Sequence, residues 1–243
     1  MEALPPSTIT GAMIGYPGHE EVVVGGRGVF RARLHVHGSS GHSGSSKPPA
    51  ANAVNRAARL VIHLEDADLP KQITGGFPLA PKLTVTEIHG GEGLTAVPDH
   101  TAVGVDIRLT DALDAAAAEK LLSTAAAHLD ARFPAPRPTT IEIIQSWPPY
   151  QLAPTDQPAA ALLAGAEAAG LPARPKVAGP SNIGNLMATQ MIPTTAGYGL
   201  PYAGLPGTDE SVDLTALPAI QTAYHQAVLT LLNATGPQAK AEQ

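Results

Sequence analysis

A single histidine stands in a turn made almost entirely of glycine and serine, Gly38-Ser-Ser-Gly-His42-Ser-Gly-Ser-Ser. Glycine and serine allow unusual backbone angles and the close approach of another molecule. An imidazole in such a turn can be neutral or charged near pH 7 and can donate a hydrogen bond to a reacting carbonyl group. His42 is therefore a candidate catalytic residue. The alternative, a surface loop that happens to contain a histidine, stays open at this point.

The elements on either side of this turn form a regular order. Alternating or apolar patterns predict strands at 28–37, 83–88, 101–109 and 140–147. Helical spacing predicts one helix at 50–64 and a second that Asp111 or Asp114 caps and that runs to about residue 133. The order β-α-β-β-α-β predicts a ferredoxin-like domain, an antiparallel four-stranded sheet with two helices on one face. The bare face of such a sheet is a common dimerisation surface.

The segments that flank this domain do not complete a second sheet. A short strand is predicted at 8–14. After a proline-rich break, helices are predicted at 159–169, 181–190 and 214–233, with one clear strand at 192–198. A lone strand cannot bury its faces, so both segments are expected to dock on something else. We interpret them as parts of a second domain that is mostly absent from the sequence.

Composition excludes several classes of protein. The 243 residues are 44% hydrophobic and 15% charged, which excludes a disordered chain. A net charge of −6 argues against a nucleic-acid partner. The absence of cysteine excludes disulfides and thiolate chemistry. No signal peptide or apolar run long enough to span a bilayer is present, so we expect a cytoplasmic protein with no membrane partner.

A series of short motifs, in order along nearly the whole chain, resembles the second half of the M20 family of zinc-dependent peptidases and deacylases. The motifs are Gly15-Tyr-Pro-Gly, Gly26-Arg-Gly, Gly38-Ser-Ser-Gly-His42-Ser-Gly, Asn52-Ala-Val, His89-Gly-Gly, Val97-Pro-Asp99, Val105-Asp-Ile-Arg108, Gly179-Pro-Ser-Asn-Ile-Gly184 and the segment 199–210. The resemblance implies a ferredoxin-like α+β lid domain inserted in the remnant of an α/β zinc-peptidase catalytic domain. The lid would occupy 27–150, the N-terminal remnant 1–26 and the C-terminal part of the catalytic domain 151–236, with a disordered tail at 237–243. It also implies a homodimer formed through the lid sheet.

The same resemblance implies roles for particular residues. His42 resembles the lid histidine that reaches across the dimer to stabilise the oxyanion of a tetrahedral intermediate. Arg108 resembles the lid arginine that binds a substrate carboxylate, with an ion pair to Asp106 or Asp99 as the structural alternative. Asn52, Ser181 and Asn182 match substrate-side positions near the lid hinge and the catalytic floor. Asn52 can instead be a simple helix cap.

The metal ligands of the family are not matched. Full members begin with a domain that supplies a His-x-Asp motif and a Glu-Glu pair for zinc. In the second half, the two further ligand positions hold Tyr16, with His19 or Glu20 as alternative alignments, and Pro206. The resemblance thus implies zinc as cofactor, yet we expect none to bind this chain alone. His35 and His37 share a strand face but lack a third ligand, which favours a solvated sheet face.

Two functions follow as hypotheses. The first is an M20-type metallohydrolase chain that cleaves an amide of a carboxylate-bearing or peptide-like small molecule only when a separate metal-binding half is supplied. The second is a non-catalytic dimerisation or binding protein derived from the family. Intact His42 and Arg108 favour the first hypothesis, and Pro206 favours the second.

Overall fold

The computed structural model describes residues 9–47, 49–73, 75–205 and 207–234. Its strands are β1 (Ala12–Ile14), β2 (Glu21–Gly26), β3 (Gly28–His37), β4 (Gly41–His42), β5 (Lys82–Gly90), β6 (Ala96–Val97), β7 (His100–Leu109), β8 (Thr140–Trp147), β9 (Tyr150–Gln151), β10 (Arg174–Ala178), β11 (Thr194–Ala196), β12 (Tyr202–Ala203) and β13 (Ser211–Val212). Its helices are α1 (Ala53–Glu65), α2 (Ala115–Arg132), α3 (Ala159–Ala168), α4 (Ile183–Thr189) and α5 (Leu217–Ala234), the last preceded by a 3₁₀ turn. The expected tail at 237–243 and Pro206 lie outside the described residues.

The chain divides into two compact units. The central unit comprises Gly28–Gly75 and Leu79–Pro148. The flanking unit comprises the residues up to Arg27, the short segment Gly76–Pro78 and the residues from Pro149 onward. The inclusion of Gly76–Pro78 in the flanking unit was not predicted from the sequence.

The central unit contains an antiparallel sheet in the order β5-β7-β3-β8. Strand β3 lies inside the sheet and is paired along its length with β7 and over most of its length with β8. Its side chains alternate between a buried face and a face that carries charged and imidazole groups. The buried residues that face the core are Phe30, Ala32, Leu34 and Val36, and Val29 is also buried near the start of the strand.

Helices α1 and α2 supply the other half of the core of this unit. Both bury small and branched residues at helical spacing, including Ala57, Leu60 and Leu64 of α1 and Leu122 and Leu129 of α2. Asp114, rather than Asp111, caps α2, because its carboxylate accepts a hydrogen bond from the backbone of Ala117 at 2.7 Å.

Arg56 is a buried charge that ties three elements of the central unit together. Its side chain is 4% exposed. Its guanidinium donates to the carbonyl of Phe133 at 2.8 Å, to the carbonyl of His37 and to the carboxylate of Asp130. Asp130 also accepts two hydrogen bonds from Thr139, each at 2.8 Å. Helix α1, the end of α2 and strand β3 are therefore held by one polar network inside an otherwise apolar core.

The flanking unit is built from small parallel and antiparallel pairs. Strand β1 pairs with β11 in parallel; β2 lies between β10, which is parallel to it, and β9, which is antiparallel. Strands β12 and β13 form a separate antiparallel pair. The expectation of one clear strand after residue 150 is wrong. Strand β10, which has the sequence Arg174-Pro-Lys-Val-Ala178, has no strand pattern of its own, and its pairing with β2 makes it a strand.

Helices α3 and α5 pack closely in the core of the flanking unit. A side chain at Gly165 would meet the carbonyl oxygen of Ala223 at 2.3 Å, so glycine is required where the helices cross. The surrounding core includes Val22, Leu162 and Tyr198. In the described part of the chain, no helix is long and apolar enough to cross a membrane.

We expect Arg56→Met to destabilise the central unit by about 2–4 kcal/mol, because it leaves Asp130 and two backbone carbonyls without their donor. Urea denaturation followed by circular dichroism measures this loss. Arg59→Met is the matched control: Arg59 is an exposed arginine of the same helix that stacks on Phe133, so its replacement should cost less than about 1 kcal/mol. Equal losses in the two variants would contradict the role of Arg56.

His37 gives the central unit a pH dependence. Its Nδ1 atom is buried and has no hydrogen-bond partner. Burial, followed by the positive charges of Arg137, His100, His35 and Arg56, lowers the pKa of His37 below its usual value. The folded state therefore holds this ring neutral under conditions in which the unfolded state would protonate it.

Stability is therefore expected to decline as the pH falls below about 6.5, the unfolded value for histidine, until the lower folded-state pKa is passed. His37 contributes a slope of at most about 1.4 kcal/mol per pH unit. Urea midpoints measured between pH 5 and pH 8 should show a flatter pH profile for His37→Gln than for the wild type. His89→Gln, at a more exposed histidine, should keep the wild-type slope; an unchanged slope in His37→Gln would refute the assignment.

Candidate functional site

The Gly38–His42 loop is fastened to the segment Thr95–Asp99, which is distant in sequence. Strand β4 pairs with β6, so that Gly41 faces Val97 and His42 faces Ala96. Backbone hydrogen bonds join Gly38 to Asp99 at 2.7 Å and Ser43 to Thr95 at 2.8 Å. The structure thus brings together two motifs that the sequence analysis had identified separately.

The same segment also fixes the start of helix α1. The amide of Ala53 donates to the carbonyl of Pro98 at 3.0 Å, and the amide of Ser39 donates to Ala51 at 2.7 Å. Asn52 is the N-cap of α1, and its side-chain oxygen accepts from the amide of Asn55 at 3.1 Å. In this structure Asn52 has the capping role that was the alternative to substrate binding.

The environment of His42 determines which nitrogen carries its proton. The backbone amide of Gly44 donates to Nδ1 of His42 at 3.1 Å. An amide can only donate, so Nδ1 accepts, and the proton of the neutral ring is on Nε2. The side chain is exposed. The turn therefore presents a neutral N–H donor outward, and this is the form that can bind a developing negative charge on oxygen.

Arg108 lies on the open face of the sheet, at the other end of β7. Its guanidinium forms a two-point ion pair with Asp106, with contacts of 2.7 and 3.3 Å. Asp106 also pairs with Arg31 at 2.9 Å. The structure thus shows the alternative partner, Asp106, that the sequence analysis had left open, while the carboxylate-binding role stays a prediction.

His42 and Arg108 are not brought together within one copy of the central unit. His42 pairs next to the beginning of β7, and Arg108 lies near its end. From His100 to Arg108 an extended strand covers about 27 Å. A small substrate cannot contact both side chains of the same copy.

Ser181 and Asn182 belong to the flanking unit, where Asn182 has a structural function. Its side-chain oxygen accepts from the amide of Gly184 at 2.8 Å and from the hydroxyl of Tyr150 at 3.1 Å. Burial raises the pKa of Tyr150, so this hydroxyl stays protonated and donates.

Sequence reasoning missed Asn185, which completes this cap. Its side chain is fully buried, accepts from the amide of Asn182 at 2.7 Å and donates to the carbonyls of Gly26 and Arg27 at 3.2 Å. The Asn-x-x-Asn spacing was a readable signal of a reciprocal cap. These asparagines fix the junction between β2 and α4.

Tyr16, which the family resemblance places at the first ligand position, lines a cavity of about 580 Å³ in the flanking unit. Its side chain is 61% exposed. His19 and Glu20, the alternative alignments, line the same cavity.

Glu21, also in the lining of this cavity, pairs with Lys176 and Arg174. The hydrogen bond from Lys176 is the main cause that lowers the pKa of Glu21, and burial opposes it.

These residues do not fit a dinuclear zinc site. Among the residues that the structure describes, no group of three or more histidine, aspartate or glutamate side chains is arranged to hold a metal ion. Tyr16 offers a phenol where a carboxylate would be needed, and the second ligand position, Pro206, lies outside the described residues.

A family model described as the M20 peptidase dimerisation domain matches residues 24–135. This part of the chain is an M20 peptidase dimerisation domain. The matched range contains β3, α1, β5, β7 and α2, so the central unit carries the M20 dimerisation domain. M20 peptidases are generally zinc-dependent. No curated protein matches the chain significantly.

Solved structures of M20 proteins share the fold. A tripeptidase from Staphylococcus aureus is 16% identical, with a TM-score of 0.69 over 91% of this chain and 57% of its own. Aminopeptidase PepT from Bacillus cereus is 17% identical, with a TM-score of 0.67 over 94% of this chain and 58% of its own. A hydantoinase/carbamoylase family amidase from Burkholderia vietnamiensis is 21% identical, with a TM-score of 0.62 over 87% of this chain and 49% of its own. The chain therefore spans about half to three fifths of the length of these proteins.

Gly38→Ala is expected to destabilise the loop that carries His42. A side chain there would meet the amide of Ala53 at 2.6 Å and the carbonyl of Ala51 at 2.8 Å, so the loop must separate from the start of α1. We expect a loss of about 1–3 kcal/mol in urea denaturation. Gly93→Ala is the control, since nothing lies within 4 Å of the added methyl group, and it should change stability by less than about 0.5 kcal/mol. Similar stabilities for the two variants would show that Gly38 is not required by packing.

Proposed function

We propose that this chain forms the substrate-facing part of an M20-type amidohydrolase or peptidase. It would act on an amide bond of a carboxylate-bearing substrate when the metal-binding residues are supplied from outside the described part of the chain. The observation that carries the proposal is the hydrogen bond from Gly44 to Nδ1 of His42, which leaves Nε2–H as an outward donor. A neutral donor of this kind stabilises the oxyanion formed when an amide carbonyl is attacked.

The anchoring of the loop supports this role. Oxyanion stabilisation requires a donor that is already in position, because reorganisation during the reaction would cost most of the gain. The His42 loop is paired with β6 and is fastened at Gly38 and Ser43. An imidazole on a loop without these bonds would be poorly suited to the task.

We also propose that the active form is a homodimer made through the central unit. The strand order and the antiparallel pairing are those of a ferredoxin-like split β-α-β lid, as we infer from the topology. Since about 27 Å of strand separates the positions of His42 and Arg108, a site that uses both side chains would take them from two copies. In the dimer, His42 would reach the substrate bound by the partner subunit.

The zinc chemistry of such an enzyme would come from the other half of the site. Zinc activates a water molecule for attack on the carbonyl. The residues of this chain would contribute the donor of His42 and, once released from Asp106, the guanidinium of Arg108 for a substrate carboxylate.

Two observations favour a second function, one on Tyr16 and one on Arg108. Tyr16 occupies a family ligand position, and Arg108 is engaged in a two-point ion pair with Asp106. Both features suit a non-catalytic M20-derived protein that dimerises or binds a partner without hydrolysis. The activity experiment separates the two functions.

The activity experiment incubates the chain and zinc with tripeptides or with N-carbamoyl amino acids. These substrate types are suggested by the names of the structural neighbours. Each is tested with and without a separate polypeptide that carries the metal-binding half of an M20 peptidase. We expect turnover only with both components, and we expect His42→Ala to lower kcat about 100- to 1000-fold with a small change in KM. His63→Ala, on the helical side of the same unit, is the control and should leave kcat unchanged.

Turnover that survives His42→Ala would contradict the oxyanion role. Absence of turnover with both components present would favour the non-catalytic function. Zinc-dependent turnover by the chain alone would contradict the requirement for a second half.

A further inference from the structure

Three histidines meet on the open face of the central sheet. His35 and His37 stand two residues apart on β3 and therefore point to the same side. Across the sheet, His37 is paired directly with His100 of β7, and His35 lies one diagonal step further along. The sequence gives the first two rings, and the strand register adds the third.

The three rings are in close contact. Nδ1 of His35 lies 3.1 Å from Nε2 of His100, and their ring centroids are 5.3 Å apart. The rings of His37 and His100 are 5.7 Å apart. Nε2 of His35 lies 3.1 Å from a carboxylate oxygen of Glu142 on β8. The cluster is thus backed by an acidic group on the next strand.

We propose that His35, His37 and His100 bind one late first-row divalent ion of the zinc type, with water in the remaining position. Zinc prefers four ligands in a tetrahedron, with Zn–N distances of about 2.0–2.1 Å. Two ligand nitrogens are then about 3.3 Å apart, close to the separation already present between His35 and His100. This site uses central-unit residues alone and does not depend on the proposed hydrolase function.

Glu142 is placed to hold one of the ligands of this ion, His35, in position. Ligating imidazoles commonly donate their second N–H to a carboxylate, which fixes the ring and makes it a better ligand. With Nε2 of His35 hydrogen-bonded to Glu142, Nδ1 of His35 is left to face the metal. The nearby positive charge of Arg33 is balanced by Glu87 at 3.4 Å and by Glu142 at 3.8 Å.

Binding requires the rings to turn. In the present arrangement His35 and His100 share a hydrogen bond, and among the described residues no three histidine, aspartate or glutamate side chains have their donor atoms placed to hold a metal ion. Rotation is open to them, because His100 is exposed, His35 is 29% exposed and Nδ1 of His37 has no partner that holds it.

A titration of the untagged chain with Co²⁺ at pH 7.5 tests the proposal, since tetrahedral Co²⁺ gives a strong visible absorption band. We expect one ion per chain, displaced by Zn²⁺. His35→Gln, His37→Gln and His100→Gln should each weaken binding at least about tenfold, and Glu142→Gln should weaken it about 10- to 100-fold. Circular dichroism confirms that each variant is folded; if His37→Gln is not, the exposed His35 and His100 variants decide the result.

The matched control uses the second histidine pair of the central unit. His63 of α1 and His128 of α2 stack with ring centroids 4.7 Å apart but have no third histidine beside them among the described ring contacts. His63→Gln and His128→Gln should leave the Co²⁺ titration unchanged. Absence of a bound ion at millimolar Co²⁺, binding that survives the His35 and His100 substitutions, or binding that is lost in the controls would overturn the proposal. Failure of the hydrolase assay has no bearing on this result.

Discussion

The pairing of β3 with two neighbours is the constraint on which the central unit depends. Because successive side chains of a strand point to opposite faces, one register places Phe30, Leu34 and Val36 under the helices. The same register places arginines and histidines on the open face. A shift by one residue would bury charge and expose the core, so burial of the apolar face fixes the register. The neighbours of every candidate residue on this sheet therefore follow from this register.

The ends of the strands carry the features related to chemistry. Where β3 ends, the glycine-rich loop turns back and is fastened to the segment before β7, and this contact holds His42. Glycine at position 38 allows the loop to lie against the start of α1. In the flanking unit, the half-buried Asn182 and the buried Asn185 fasten the chain between β2 and α4 in a similar way. Both sites use polar side chains or backbone to hold short connections where no apolar core can do so.

The sequence predicted the central unit well and the flanking unit less well. Strands β3 and β8 were predicted at their observed bounds and β7 to within one residue, because strands show a clear alternation or apolar pattern. The bounds of α2 were predicted to within a residue or two, because Asp114 marks its start. Strand β10 was missed, because its proline and charged residues form a strand only when β2 offers backbone partners. The ion pair of Arg108 was one of two alternatives, and only the strand geometry selected Asp106.

The sequence by itself determined the periodic elements, the unusual histidine turn and the resemblance to the M20 family. These are local or linear properties, encoded in the spacing of apolar residues and in short motifs. Tertiary structure alone decided which distant groups meet. It placed Gly44 on Nδ1 of His42, Asp106 on Arg108, and His100 beside the two histidines of β3. The physical reason is that strand pairing and loop closure join residues tens of positions apart, and their register follows from burial of the whole sheet face.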